Sequence, residues 1–149
     1  MDKLFSIKEI DISYSYGTTK AERETIKSSL DAKNIFRSAL KNSIEYKESF
    51  LVLILNNDNE ILGIKKISEG GITSTVVDVR LVFQTILKAH GTAFIICHNH
   101  PSGKLEPSEA DIKMTKKIKQ GSQILDLKLL DHLILTKEDV LSFADTNLL

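Results

Sequence analysis

Cysteine and proline are scarce in this chain, and an excess of either charge is missing. Its 149 residues include one cysteine and two prolines, and 20 basic residues balance 20 acidic ones. A lone cysteine, Cys97, excludes an intrachain disulfide and fits a reducing compartment. The zero formal charge lends no compositional support to a nucleic-acid partner, because strong duplex binders carry a basic excess or stripe. No apolar run approaches the length of a membrane span, and the opening MDKLFSIKEID lacks the basic-then-apolar layout of a secretion signal. A cytoplasmic protein without a membrane partner is the expectation. Internal repeats, low-complexity tracts and Pro/Gly/Ser-rich linkers are also absent. The remaining composition is ordinary: 42% hydrophobic and 27% charged residues, at a length that suits a single domain spanning 1–149 with its own core.

The hydrophobic pattern predicts an α/β chain, a mixed sheet flanked by helices. Residues 7–16 alternate, with Ile10, Ile12, Tyr14 and Tyr16 on one face, and read as a strand. Gly17 to Thr19 form a turn, and polar residues 20–30 read as a mobile connection. Asp31 is placed to cap a helix reaching about Lys41, with Ile35, Phe36 and Leu40 inward. FLVLIL at 50–55 and EILGIKKI at 60–67, joined by NNDN, read as a hairpin, and Gly70 and Gly71 break the next segment. Val79, Val82, Phe83, Ile86 and His90 recur at helical spacing over 76–90. AFIIC at 93–97 suits a buried central strand. A helix over 108–122, a strand over 127–135 and a last short strand near Asp139–Phe143 complete the order.

Both prolines, Pro101 and Pro107, bracket one loop, and the residues beside it carry the chemistry. In Cys97-His98-Asn99-His100-Pro101, strand alternation projects His98 and His100 to one side, with Cys97 and Asn99 away from them. Proline ends the strand there, near solvent. Two such imidazoles can share a metal ion, and catalytic zinc sites commonly add a third protein ligand while keeping one position open. Asp111 is the best placed third ligand, because the loop from His100 to Ser108 can return the chain to the sheet end. Yet Ser108-Glu109-Ala110-Asp111 also matches a capping box, which would engage both residues in starting a helix. A proton-transferring carboxylate is needed as well, and on spacing Glu48 and Glu60 are rivals. Cys97 reads as core, His90 as a structural or solvated helix-end residue, and Lys113, Lys116, Lys117 and Lys119 as a solvated helix face.

Taken together, HNHPSGKLEPSEAD resembles the JAMM (MPN+) metalloprotease motif, and the chain is similar more narrowly to the RadC family, the bacterial branch of that fold. KESFLVLILNNDNEILG, the GG-x-T-x-T segment at 70–75, the helix with VDVR, LDHLIL and SFADTNLL carry the likeness, over roughly residues 31–149. The resemblance implies a curved mixed sheet of the cytidine deaminase-like architecture. It matches His98, His100 and Asp111 to the ligands of one zinc ion, Glu48 rather than Glu60 to the acid–base glutamate, and Ser108 to the serine that helps hold the oxyanion. His132 matches a histidine typical of RadC sequences, in a supporting or substrate-contacting role. Longer RadC proteins carry a helix-hairpin-helix module associated with DNA, for which this chain has no evident room.

The implied activity is zinc-dependent hydrolysis of an amide-type bond in an unidentified protein or peptide, as in a peptidase or isopeptidase. The alternative is a non-catalytic or DNA-associated module, an accessory of DNA repair or recombination, whose metal is structural.

Overall fold

The computed structural model describes residues 7–72 and 75–149; the MDKLFS opening, and Thr73 and Ser74 of the GG-x-T-x-T segment, lie outside them. Among the described residues, three α-helices and five strands follow in the order α1 (Ser29–Ala39), β1 (Ser49–Leu55), β2 (Ile61–Glu69), α2 (Val79–Lys88), β3 (Ala93–Asn99), α3 (Glu109–Ile124), β4 (Lys128–Leu135) and β5 (Val140–Ser142). The strands form one mixed sheet ordered β2-β1-β3-β4-β5. Only β3 and β4 run parallel, connected through α3; the other neighbours are antiparallel.

Helices cover both faces, which is why β1 and β3 are buried along their whole length and apolar over Phe50–Leu55 and Ala93–Cys97. On one face Ala32 and Phe36 of α1, with Leu40 at its C-cap, lie over Leu51, Leu53, Ile95, Cys97 and Leu133. On the other, Val82 and Ile86 of α2 and Ile118 of α3 cover Val52, Ile54, Phe94 and Ile96. Gly121 lets α2 and α3 meet, since a Cβ there would stand 2.7 Å from the Phe83 ring.

Three sequence expectations need correction. Residues 7–16 form no strand: Ile10 and Ile12 are exposed, and no strand of the sheet pairs with them. Alternation alone cannot supply an edge, and the segment is instead tethered by a Lys88 Nζ bond to the Ser13 carbonyl at 2.9 Å and by Tyr14 stacked on His90. Residues 20–30 are not a loose connection. A turn of 3-10 helix at Lys20–Glu22 leads to Thr25, bridged to Glu60, and to Ile26, which is buried in the α1-side core. Helix α1 is capped by Ser28, and Asp31 is the third residue of the helix, returning its carboxylate to the Ser28 and Lys27 backbone N–H groups.

Candidate metal centre

The end of β3 sets the site. His98 closes a run that alternates Phe94, Ile96 and His98 toward the α2–α3 face, while Ile95, Cys97 and Asn99 turn to the α1 side. Cys97 is fully buried there, and burial pushes its thiol pKa far up. His100 lies one residue past the strand, its N–H bonded to the Leu135 carbonyl at 2.8 Å. Its ring returns to His98, and the two Nε2 atoms are 2.8 Å apart. Asp111, in the first turn of α3, brings Oδ1 to 3.2 Å from His98 Nε2 and Oδ2 to 3.5 Å from His100 Nε2. Glu48, buried just before β1, offers a carboxylate oxygen within 4.8 Å of ring nitrogens of both histidines. Glu60 is elsewhere, paired with Arg23 and Asn56 beside the β1–β2 turn.

The capping box and the carboxylate's approach to the histidines coexist. Ser108 caps α3, its Oγ accepting from the Asp111 N–H at 3.1 Å, while Asp111 Oδ2 accepts from the Ser108 N–H at 2.7 Å. The Ser108 oxygen is therefore engaged in the helix start, and its side chain sits at an exposed position. A narrow cavity opens beside the donors, walled by Glu48, Phe50, Val77, Asp111 and Met114.

Hydrogen-bond logic assigns the ring protons. Thr115 Oγ1 lies 2.7 Å from the Asp111 carbonyl and 2.6 Å from His132 Nδ1. A carbonyl only accepts, so the hydroxyl proton goes there and the oxygen accepts from His132 Nδ1–H. His132 is held neutral, because burial, helped by nearby His98, puts its pKa well below the usual imidazole value. Its Nε2 therefore accepts, and the donor is His98 Nδ1–H at 2.8 Å. His100 Nδ1–H donates in turn to the Lys104 carbonyl at 2.6 Å. Neutral rings so arranged point two Nε2 lone pairs at each other and at a carboxylate. Only a cation between them relieves that arrangement.

A proton on His100 is one such cation; the Asp111 hydrogen bond chiefly raises its pKa, against burial. Burial also opposes ionising Asp111, but the His100 and His98 rings beside it overcome that and hold the carboxyl well below the ordinary range. A metal ion is the other. Ligands about 2.0–2.1 Å from a tetrahedral zinc stand about 3.3 Å apart, close to the 2.8, 3.2 and 3.5 Å separations here. The donor set, two imidazoles and a carboxylate, suits zinc chemically. Burial raises the Glu48 pKa, with the nearby His98 and His100 rings partly offsetting it.

Thr115 and the buried amide of Asn99 are parts of this neighbourhood that the sequence does not point to directly. Thr115 carried one signal, its place four residues after Asp111 on the same helix face.

A mixed sheet that ends its central strand in a convergent His/His/carboxylate set, completed from the following helix, defines a JAB-type α+β module with a candidate metal site. The chain belongs to the RadC-like JAB domain family, whose model matches residues 26–148. Among similar proteins are the UPF0758 protein of Flavobacterium johnsoniae, 54% identical over 98 residues (66% of this chain, 43% of the relative), and that of Pseudomonas fluorescens, 38% identical over 127 residues (84% and 57%). A UPF0758 protein of Clostridium novyi is 42% identical over 105 residues (70% and 46%). The chain thus spans about half the length of the curated relatives it matches.

Proposed function

We propose that this domain is a zinc-dependent amide hydrolase of the peptidase or isopeptidase type, acting in the cytoplasm on a protein or peptide. The observation that carries the reading is the convergence of Glu48, His98 and His100, with Asp111 against both histidines, at a cavity that Glu48, His98 and Asp111 line. Zinc held by His98, His100 and Asp111 would supply a Lewis acid that polarises a carbonyl and acidifies water. Glu48 takes the water's proton and returns it to the departing amine nitrogen, a task its raised pKa and buried position at the cavity wall support. Ser108 keeps its oxygen lone pair in the helix cap and retains its hydroxyl proton for an oxyanion. His132 and Thr115 hold His98 in the tautomer that leaves Nε2 free for the metal.

The test is Glu48→Gln, screened with the zinc-loaded wild type against a fluorogenic peptide-amide library. Hydrolysis is expected to fall by about 10²-fold or more while zinc content holds. Equal turnover by the two proteins would sink the assignment.

A DNA-associated module is the second reading, favoured by the exposed Lys113, Lys116 and Lys117 on the outer side of α3. Salt-dependent duplex binding that survives replacing His98 and His100 by alanine would support it.

A further inference from the structure

His98, Asn99 and His100 are consecutive, yet the middle residue does nothing for the metal. Asn99 is fully buried on the α1 side of β3, and its amide is used completely. Oδ1 accepts from the Ser49 N–H at 2.8 Å, and Nδ2 donates to the Ile44 and Lys47 carbonyls at 2.9 Å each. All three partners belong to the segment that delivers Glu48 to the sheet. The backbone ladder between β1 and β3 has its last pair at Phe50 and His98. Beyond that pair a side chain replaces the ladder. Glu48 is also bonded through its N–H and carbonyl to Gly71 and Gly70, at 3.1 and 2.8 Å, which relates it to the β2 side of the sheet. Asn99 relates it to β3, the strand that bears the histidines.

We infer that Asn99 is a positioning residue for Glu48: its buried amide clamps the 44–49 segment so that the Glu48 carboxylate stays beside the His98/His100 donors. One tripeptide then sets both halves of the site, the histidines from one face of the strand and the carboxylate through the other. An apolar side chain at 99 could fill the volume but would leave a buried N–H and two carbonyls unpaired. The inference rests on reading Glu48 as the group that handles the proton.

The test uses cobalt(II) in place of zinc in the whole protein, since its visible absorption reports the ligand field at the open coordination position without needing a substrate. Wild type, Glu48→Ala, Asn99→Ala and the double variant are compared. Glu48→Ala and Asn99→Ala should shift the spectrum in the same direction, with the double variant no further than Glu48→Ala alone. Cobalt affinity should stay within about threefold in Asn99→Ala, because no ligand is touched. Protection of the Ser49 amide from exchange should fall at least about tenfold relative to the β3 core amides. If Asn99→Ala does not fold, Asn99→Thr, β-branched and able to replace only part of the hydrogen-bond set, should give a smaller shift of the same sign. A wild-type spectrum in the folded Asn99 variant, with Glu48→Ala shifted, overturns this inference alone, as do additive shifts. Failure to bind cobalt, or a Glu48→Ala spectrum equal to wild type, overturns the proposed function and this inference with it.

Discussion

The two faces of the sheet treat the polar residues of β3 and β4 in opposite ways. On the α1 side, Asn99 and Asp131 are spent mainly on backbone. Asp131 accepts from the His132 and Ala144 N–H groups and from the Ser142 hydroxyl, and so pins the chain after β5. On the α2–α3 side, His98, His132 and Thr115 are bonded in series, and the chain of bonds ends with unassigned lone pairs at His98, His100 and Asp111. Polar groups matched to backbone rigidify a core, whereas polar groups matched to one another fix tautomers and leave valences to fill. The first face is a frame and the second a socket.

The comparison breaks most severely at the frame. Phe36 is fully buried between α1 and the sheet, so Phe36→Ala should cost about 3–5 kcal/mol, read as a shift in the urea midpoint at unchanged m-value. Damage of similar size to zinc affinity in the fully folded fraction would mean that frame and socket are not separable. The next effect belongs to the socket. Thr115→Val keeps the shape but removes the acceptor for His132 Nδ1–H and so frees the tautomer of His98. Zinc affinity should fall about 10–100-fold by chelator competition. An unchanged affinity would refute the tautomer argument.

The smallest effect sharpens the frame's electrostatics. Burial raises the Asp131 pKa, although Ser142, Ala144 and His132 bonds oppose it. A carboxyl with a raised folded-state pKa stabilises fully below its unfolded value of about 3.9, and that contribution is lost as pH rises through the folded value. Asp131→Asn cannot titrate. Chemical denaturation at pH 4 and pH 7 should therefore show the variant gaining on wild type at the higher pH. A gap that moves the other way would show the bonds outweighing burial.

Much of this was legible beforehand, and the rest was hidden for definite reasons. The apolar run 93–97 announced the central strand because both its faces are covered. NNDN announced the hairpin, and alternation put Cys97 opposite His98. Residues 7–16 misled because alternation records which sides of a strand would differ, not whether an edge is free to receive it. Ile26 was hidden in a polar stretch, since one buried residue has no period. Ser28 lost the helix start to Asp31 because both belong to the same cap. Around the site, Asn99 and Thr115 act through partners about fifty and seventeen positions away, Ser49 at one end and His132 at the other. No local window contains those pairs.

The order of the donors along the chain has a consequence for assembly. His98, His100 and Asp111 fall within one short stretch, 98–111, spanning a strand end, a loop and a first helical turn. Glu48 joins them only when β1 docks antiparallel on β3 with Phe50 opposite His98. Loop-closure entropy makes the first event cheap and the second dependent on long-range pairing. On the proposed function, an ion would therefore be captured before the fold is complete, while the carboxylate proposed to handle the proton would arrive last. A hydrolase assembled in that order would carry its metal early and become reactive only once folded.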